Sequence, residues 1–289
     1  MKINEKPAIF MAILAATLYA LNSPISKLLL KNVSSTIMAG LLYLGAGIGL
    51  LIVRFIQKQM NININEETLT KKDLPYTIAM VVLDIIAPIC LMYGLTKTTA
   101  ANASLLNNFE IVATSLIALI IFKEKISKRL WIAISLVTLS SIILTVEDAS
   151  SFQFSYGSIF VLLACVCWGF ENNCTRKISN KDPLQIVVIK GFGSGLGSLL
   201  IAFTIREHLP GLKYIIYALI LGFVAYGLSI FFYIYAQRFL GAAKTSTYYA
   251  VAPFIGVALS LIIFQEIPAL SFWIALIIMA IGTYLASTD

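Results

Sequence analysis

Four ionisable side chains, Asp84, Glu110, Glu171 and Lys190, stand inside apolar stretches long enough to cross a bilayer. A charge at that depth costs about 2.5–3.5 kcal/mol on insertion scales, so each is a functional candidate by default. Polar residues gather around them at helical spacing. Asn107, Glu110 and Thr114 share one face, Trp168, Glu171, Asn172 and Thr175 a second, and Tyr19, Asn22 and Ser26 a third, while Tyr248 and Tyr249 precede Pro253. Carboxylate acceptors, amide donors and aromatic walls suit a cavity for a small polar or zwitterionic solute. The expected substrate-binding set is Tyr19, Asn22, Asp84, Asn107, Glu110, Trp168, Glu171, Asn172, Lys190 and Tyr248. A carboxylate exposed to each side of a membrane in turn can carry a proton across, which makes Glu110 and Glu171 the expected proton-coupling residues.

Plainer roles compete for some of these groups. Glu124 and Glu266 fall at helix ends, where capping or interhelical contact is the expected use. Lys190 lies about 9 Å into its helix at 1.5 Å per residue, so it reaches either the cavity or the headgroups. Asp84, close to Pro88, can serve as a polar tie between helices.

Other chemistries find little footing. His208 is the lone histidine, which excludes a histidine-based metal cluster or catalytic triad. Cys90, Cys165, Cys167 and Cys174 form no CxxC pair and read as small buried residues. Gly191-Phe192-Gly193-Ser194-Gly195 does not complete a dinucleotide fingerprint, and no phosphate loop or soluble ATPase domain is present. No metal or cofactor is expected, and the chain is not read as an enzyme. The rival from that class is an intramembrane enzyme using Asp84 and Glu110 as paired acids.

The elements that must position these groups are membrane helices. Of 289 residues, 59% are hydrophobic and 12% charged, against about 25% charged in an ordinary soluble domain. The mean hydropathy of +0.90 leaves too little polar surface to cover one soluble core. The net charge of +7 sits mostly in short loops between apolar runs, which indicates a bilayer surface and no nucleic acid. Ten runs of membrane-spanning length fall near 7–30, 36–56, 75–95, 100–122, 130–147, 156–175, 184–205, 213–237, 244–264 and 270–286. With the N-terminus inside, fifteen lysines and arginines fall on the cytoplasmic side and five outside, so both termini are expected in the cytoplasm.

The chain is also written twice. Ile120-Ile121-Phe122-Lys123-Glu124, followed after six residues by Trp131-Ile132-Ala133, recurs 142 positions later as Ile262-Ile263-Phe264-Gln265-Glu266 and Trp273-Ile274-Ala275. A shift of 149 carries Tyr19 and Asn22 onto Trp168 and Glu171, so helix 1 is a counterpart of helix 6 and not a cleaved signal peptide. Gly45 and Gly49 map onto Gly193 and Gly197 at a shift of 148, a spacing that lets helix backbones approach closely. Residues 1–149 and 150–289 then form two five-helix repeats. Because five is odd, the second repeat enters the membrane from the opposite side. The expected fold is all-α, ten transmembrane helices in two inverted repeats, with the site between them.

Three stretches carry a family resemblance. Asn107 to Ala113, running on to Phe122-Lys123-Glu124-Lys125, resembles a fourth-helix pattern of Glu-Pro-Val and then Gly-Glu-Arg. Tyr235 to Lys244 with Ala252-Pro253-Phe254 resembles the eighth-to-ninth-helix segment, and Trp168-Gly169 with Arg176-Lys177 resembles the start of a repeat. Together they resemble the EamA-type ten-helix members of the drug/metabolite transporter superfamily. Ile111 replaces the family's proline, which removes the usual cause of a break in helix 4, while Pro253 keeps it in helix 9. The resemblance implies a secondary transporter working by alternating access in the cell membrane. It also implies export of a small polar metabolite such as an amino acid, with protons as a possible coupling ion. The expected partners are that solute and the lipid bilayer, with the protein a monomer or homodimer. A multidrug or lipid-like solute exporter of the same fold is the nearer alternative.

Overall fold

The computed structural model describes residues 6–60, 67–123, 126–148, 153–178 and 180–288. Among them, nine helical stretches are long and apolar enough to cross a membrane, and Ala252–Phe264 is a shorter tenth. Helix 1 runs from Lys6 to Leu29, helix 2 is Ser35–Gln59, helix 3 Leu74–Lys97, helix 5 Lys128–Thr145, helix 6 Tyr156–Ile178, helix 7 Pro183–Thr204 and helix 10 Leu270–Ser287. Helix 4 comes in two pieces, Ala100–Leu106 and Phe109–Phe122. Helix 8 begins as Leu212–Gly222, widens into a π-helical stretch at Phe223–Leu228, and continues in Ser229–Tyr249. Helix 9 is centred on Ala252–Phe264. Two short strands, Val146–Asp148 (β1) and Gln153–Phe154 (β2), pair antiparallel between helices 5 and 6 of this otherwise helical fold.

Ser229–Tyr249 also holds the expected turn between helices 8 and 9. The Ser229 and Tyr249 hydroxyls lie 3.3 Å apart, whereas twenty residues of straight helix would separate them by about 30 Å. The chain therefore doubles back between them.

Breaks occur in helices 1, 4 and 9, each with a local cause. Pro24 lacks the N–H that would bond the Ala20 carbonyl, and helix 1 loosens at Leu21. Pro253 does the same for helix 9 after Tyr249. Helix 4 breaks without proline. There Asn108, Glu110 and Ile111 donate to carbonyls three residues back, at 3.0–3.2 Å, and the Asn108 side-chain amide covers Leu105 O at 3.2 Å. Substitution of the family's proline by Ile111 therefore does not straighten this helix.

The two halves pack as a pseudo-twofold pair. Gly45 and Gly49 of helix 2 receive helix 8, where an added Cβ would stand 2.1 Å from Leu219 O and 1.9 Å from the Phe223 ring. Gly193 and Gly197 of helix 7 receive helix 3, at Val81 and Ile85. Helices 2 and 7 meet each other at Gly47 and Gly191. The glycines act as packing residues, as their spacing suggests. Helices 4 and 9 end alike, on left-handed residues 142 positions apart, Lys123 at φ 59° and Gln265 at φ 52°. Even the outward faces repeat: Ile120 is 67% exposed and Ile262 71%, a level that suits lipid rather than water.

Polar contacts collect at the two ends. At one end Arg54 pairs with Asp182 at 3.3 Å and Lys181 with Glu67 at 2.8 Å. At the other, Ser34 donates to Glu207 at 2.6 Å and Lys27 to Thr98 O at 2.7 Å. Beside Lys27 an open hollow of about 310 Å³ is lined by Lys97, Thr98, Asn102, Ser155 and Ser271. Glu266 is exposed at this end, while Glu124 lies outside the described residues.

Candidate functional site: a buried ion triad beside a reachable carboxylate

Halfway through the bundle, helices 2, 3, 6 and 7 enclose an ion triad. Lys190 Nζ stands 2.7 Å from Glu171 Oε1 and 3.1 Å from Asp84 Oδ2. The Tyr43 hydroxyl donates to Asp84 Oδ1 at 2.8 Å, and the Thr175 hydroxyl donates to Glu171. Asp84 Oδ2 receives no hydrogen bond of good geometry despite the nearby ammonium, so that contact is one of charge. The three side chains are sealed from solvent, at 0% exposure for Asp84, 3% for Glu171 and 6% for Lys190. Lys190 therefore does not snorkel to the headgroups, and Asp84 ties helix 3 to helix 2 through Tyr43 and to helix 7 through Lys190. Charges so buried persist only when paired, because an isolated one would lose its hydration without recompense.

Glu110, next to this triad, is arranged differently. Its Oε1 accepts from the Asn172 amide at 2.6 Å, and that amide also reaches the Thr114 hydroxyl at 3.4 Å. Asn173, the next residue on helix 6, donates to Thr114 O at 3.1 Å and Gly169 O at 2.8 Å. Glu110 and Asn172 keep partial exposure where the triad keeps almost none. Helix 6 thus presents Glu171 to the triad and the adjacent Asn172 to Glu110.

Tyrosines line the other flank in a chain of ring contacts. Tyr43 meets Tyr226 at 5.1 Å between centroids, Tyr226 meets Tyr19 at 6.1 Å, Tyr19 meets Tyr249 at 5.9 Å, and Tyr249 meets Tyr233 at 4.9 Å. Glu110 is within electrostatic reach of Tyr19, Tyr226 and Tyr249. Asn22 donates to the Tyr226 hydroxyl at 3.0 Å and accepts from Ser26 at 3.0 Å. Where the breaks of helices 1, 4 and 9 meet, a void of about 10 Å³ is lined by Tyr19, Ser23, Ser104, Asn107 and Pro253. The Ser104 hydroxyl and Asn107 Oδ1 there lack partners.

Of the expected site residues, Tyr19, Asn22, Asp84, Glu110, Glu171, Asn172 and Lys190 come together around these contacts, and Asn107 borders the void. Trp168 is buried in the same hydrophobic cluster that holds Tyr43 and Tyr226, and Tyr248 packs on the cluster of Ala8, Ala12, Ala236 and Leu240. Tyr43 and Tyr226 were absent from the expected set. A tyrosine in an apolar run resembles any packing aromatic. The signal for Tyr226 was nonetheless present, because a shift of 142 carries Asp84 onto it. Among the described residues no cluster of three or more His, Cys, Asp or Glu could hold a metal.

The EamA-like transporter family matches the chain twice, over residues 6–146 and 155–288. An uncharacterized transporter of Methanothermobacter thermautotrophicus is 24% identical over 294 residues, covering 96% of this chain and 85% of that protein. A crystal structure of another protein superposes with a TM-score of 0.69 at 13% identity, covering 97% of this chain and 95% of the other, which speaks to the fold. With both halves matched and the ten-helix bundle in place, the chain belongs to the EamA-like transporter family of the drug/metabolite transporter superfamily and is a multi-pass membrane transporter.

Proposed function

We propose that this protein is a secondary transporter of a small polar metabolite, an amino acid or related compound, working by alternating access at Glu110 and the Asp84–Lys190–Glu171 triad. The observation that carries the reading is the position of these groups. They bridge the two repeats, with helices 2, 3 and 4 supplying Tyr43, Asp84 and Glu110 and helices 6 and 7 supplying Glu171, Asn172 and Lys190. Ion pairs that cross the junction between halves change whenever the halves move, which is what alternating access requires. The void where the breaks of helices 1, 4 and 9 meet is about 10 Å³, too small for a solute, so entry at that point needs these helices to part.

Two carboxylates differ in what a proton would do. On Glu110 a proton neutralises a charge that is hydrogen-bonded by the Asn172 amide. On Glu171 it removes one of the two ion pairs of Lys190 and leaves the ammonium to Asp84. Either event links proton movement to the packing of the halves, and both residues are retained as coupling groups. The excess of positive residues on one side favours cytoplasmic termini in a cell membrane; export of the solute is taken over from the family resemblance alone.

Flux of a broad metabolite panel into proteoliposomes tests the reading, with Glu110→Gln and Glu171→Gln alongside and their folding checked by thermal unfolding. Solute-specific flux lost at least tenfold in both variants is expected. Wild-type flux in both would remove these carboxylates from the mechanism.

A further inference from the structure

Helices 1, 4 and 9 break around one point, and the groups left there are oxygens. Pro24 deprives the Ala20 carbonyl of its helical donor, and Ala20 borders the void of about 10 Å³. Two side chains that line the same void lack partners, the Ser104 hydroxyl and Asn107 Oδ1, on residues 2% and 7% exposed. Gly256 leaves room between these oxygens, since a Cβ there would stand 2.9 Å from Ser104 Oγ and 3.3 Å from Ala20 O. The helix 9 donors nearby are spent: Phe254 and Ile255 both give their N–H to Val251 O at 3.1 Å, and Pro253 has none. The other half differs at the equivalent carbonyl. A shift of 149 carries Ala20 and Pro24 onto Gly169 and Asn173, and the Asn173 amide covers Gly169 O at 2.8 Å.

We infer that this void is a site for one sodium ion, bound by Ala20 O, Ser104 Oγ and Asn107 Oδ1 where the three helices break. Carbonyls freed where membrane helices unwind are suited to sodium. No Asp, Glu, Lys or Arg lines the void, so its ligands are neutral and suit a single charge, whereas calcium and magnesium sites draw on carboxylates. The volume matches one water or one small ion. A water has two protons to give, fewer than the oxygens that converge, and a cation engages them all. The ion acts on the transport site through helix 4: Asn107 holds it by the side chain, while Asn107 O accepts the Glu110 N–H at 3.1 Å. The ion site stands on this geometry, and its coupling to solute flux rests on the transporter reading.

Equilibrium binding of radioactive sodium to the purified full chain tests the site, with choline chloride holding ionic strength constant. A single saturable ion per chain is expected, with potassium competing at least tenfold more weakly. Sodium should also raise the thermal unfolding midpoint, because a ligand of the folded state stabilises it. Asn107→Ala and Ser104→Ala should each weaken sodium binding at least tenfold, and Gly256→Ala should abolish it by placing a methyl between the oxygens. Ser104→Ala removes a single oxygen and serves if Asn107→Ala does not fold. The inference is overturned if sodium does not bind above the choline background, which would leave the void to a water. It is equally overturned if potassium competes as well as sodium, or if folded Ser104→Ala and Asn107→Ala bind sodium like the wild type. Flux into proteoliposomes separates the two readings. Solute flux that ignores sodium, from a protein that binds none, would keep the transporter and end the sodium site. Sodium binding that is lost in the variants, without flux of any solute, would do the reverse.

Discussion

The triad has a neutral twin across the pseudo-twofold axis. A shift of 149 carries Asn22 onto Glu171, and a shift of 142 carries Asp84 onto Tyr226. In one half-site helices 6 and 3 meet through Glu171, Lys190 and Asp84; in the other, helices 1 and 8 meet through Asn22 and Tyr226 at 3.0 Å. The position of Lys190 corresponds to Leu42 at the shift of 148 that relates helices 2 and 7. Glu110 likewise has Ala252 as its counterpart. Duplication therefore preserved the frame, including the glycine contacts and the breaks and left-handed ends of helices 4 and 9, while helix 6 lacks the break of helix 1 and charge was placed in one half-site alone. The lesson is that symmetry supplies the packing frame and asymmetry places the buried charges.

The largest effect should come from breaking the charged half-site. Lys190→Met leaves two buried carboxylates unpaired, and loss of one partner of a buried ion pair costs about 3–5 kcal/mol. A large fall in the thermal unfolding midpoint of the purified protein is expected. Combining it with Asp84→Asn and Glu171→Gln should recover most of the stability, because a neutral cluster needs no counter-ion, and flux should stay abolished. A lone Lys190→Met with wild-type stability would mean that the triad is not ionised as drawn.

Glu110→Gln comes next, as a test that function and stability part company at the reachable carboxylate. The glutamine oxygen can still accept from Asn172, so the unfolding midpoint should stay near wild type while flux falls at least tenfold. On the neutral side, Tyr226→Phe removes one hydrogen bond, worth about 1 kcal/mol. Its destabilisation should be well below that of Lys190→Met, measured by the same unfolding assay. Equal losses would erase the contrast between the half-sites. The smallest effect belongs to the end of the bundle. Glu67→Gln removes the partner of Lys181 at 2.8 Å, a contact with Glu67 exposed, and surface pairs of this kind contribute little. The unfolding midpoint should not move measurably.

Much of this arrangement was legible in the sequence, for definable reasons. Ten apolar runs and a duplicated motif are long-range signals that a bilayer forces on any chain, since backbone groups must be satisfied within helices. The four intramembrane charges announced themselves by their cost. Their pairing did not, because helical spacing orders residues within one helix and says nothing of which helix lies opposite. Lys190 could be read as cavity group or snorkel until helix 6 put Glu171 against it. The packing partners of Trp168 and Tyr248 were not legible for the same reason, since an aromatic near the right depth gives no azimuth between helices. The break in helix 4 was hidden because the Asn108 side-chain amide covers a carbonyl that proline would leave open by exclusion.

The central claim, that Glu110 and its surroundings face each side of the membrane in turn, is most directly tested by thiol accessibility. Thr114 lies beside Asn172 and Glu110, so Thr114→Cys in a chain whose four native cysteines are replaced by alanine places a reporter at the site. Impermeant thiol reagents would be applied from one face and then the other of oriented vesicles, with and without solute. The account predicts labelling from both faces, with solute shifting the balance between them. Labelling from one face alone under every condition, or from neither, would contradict it.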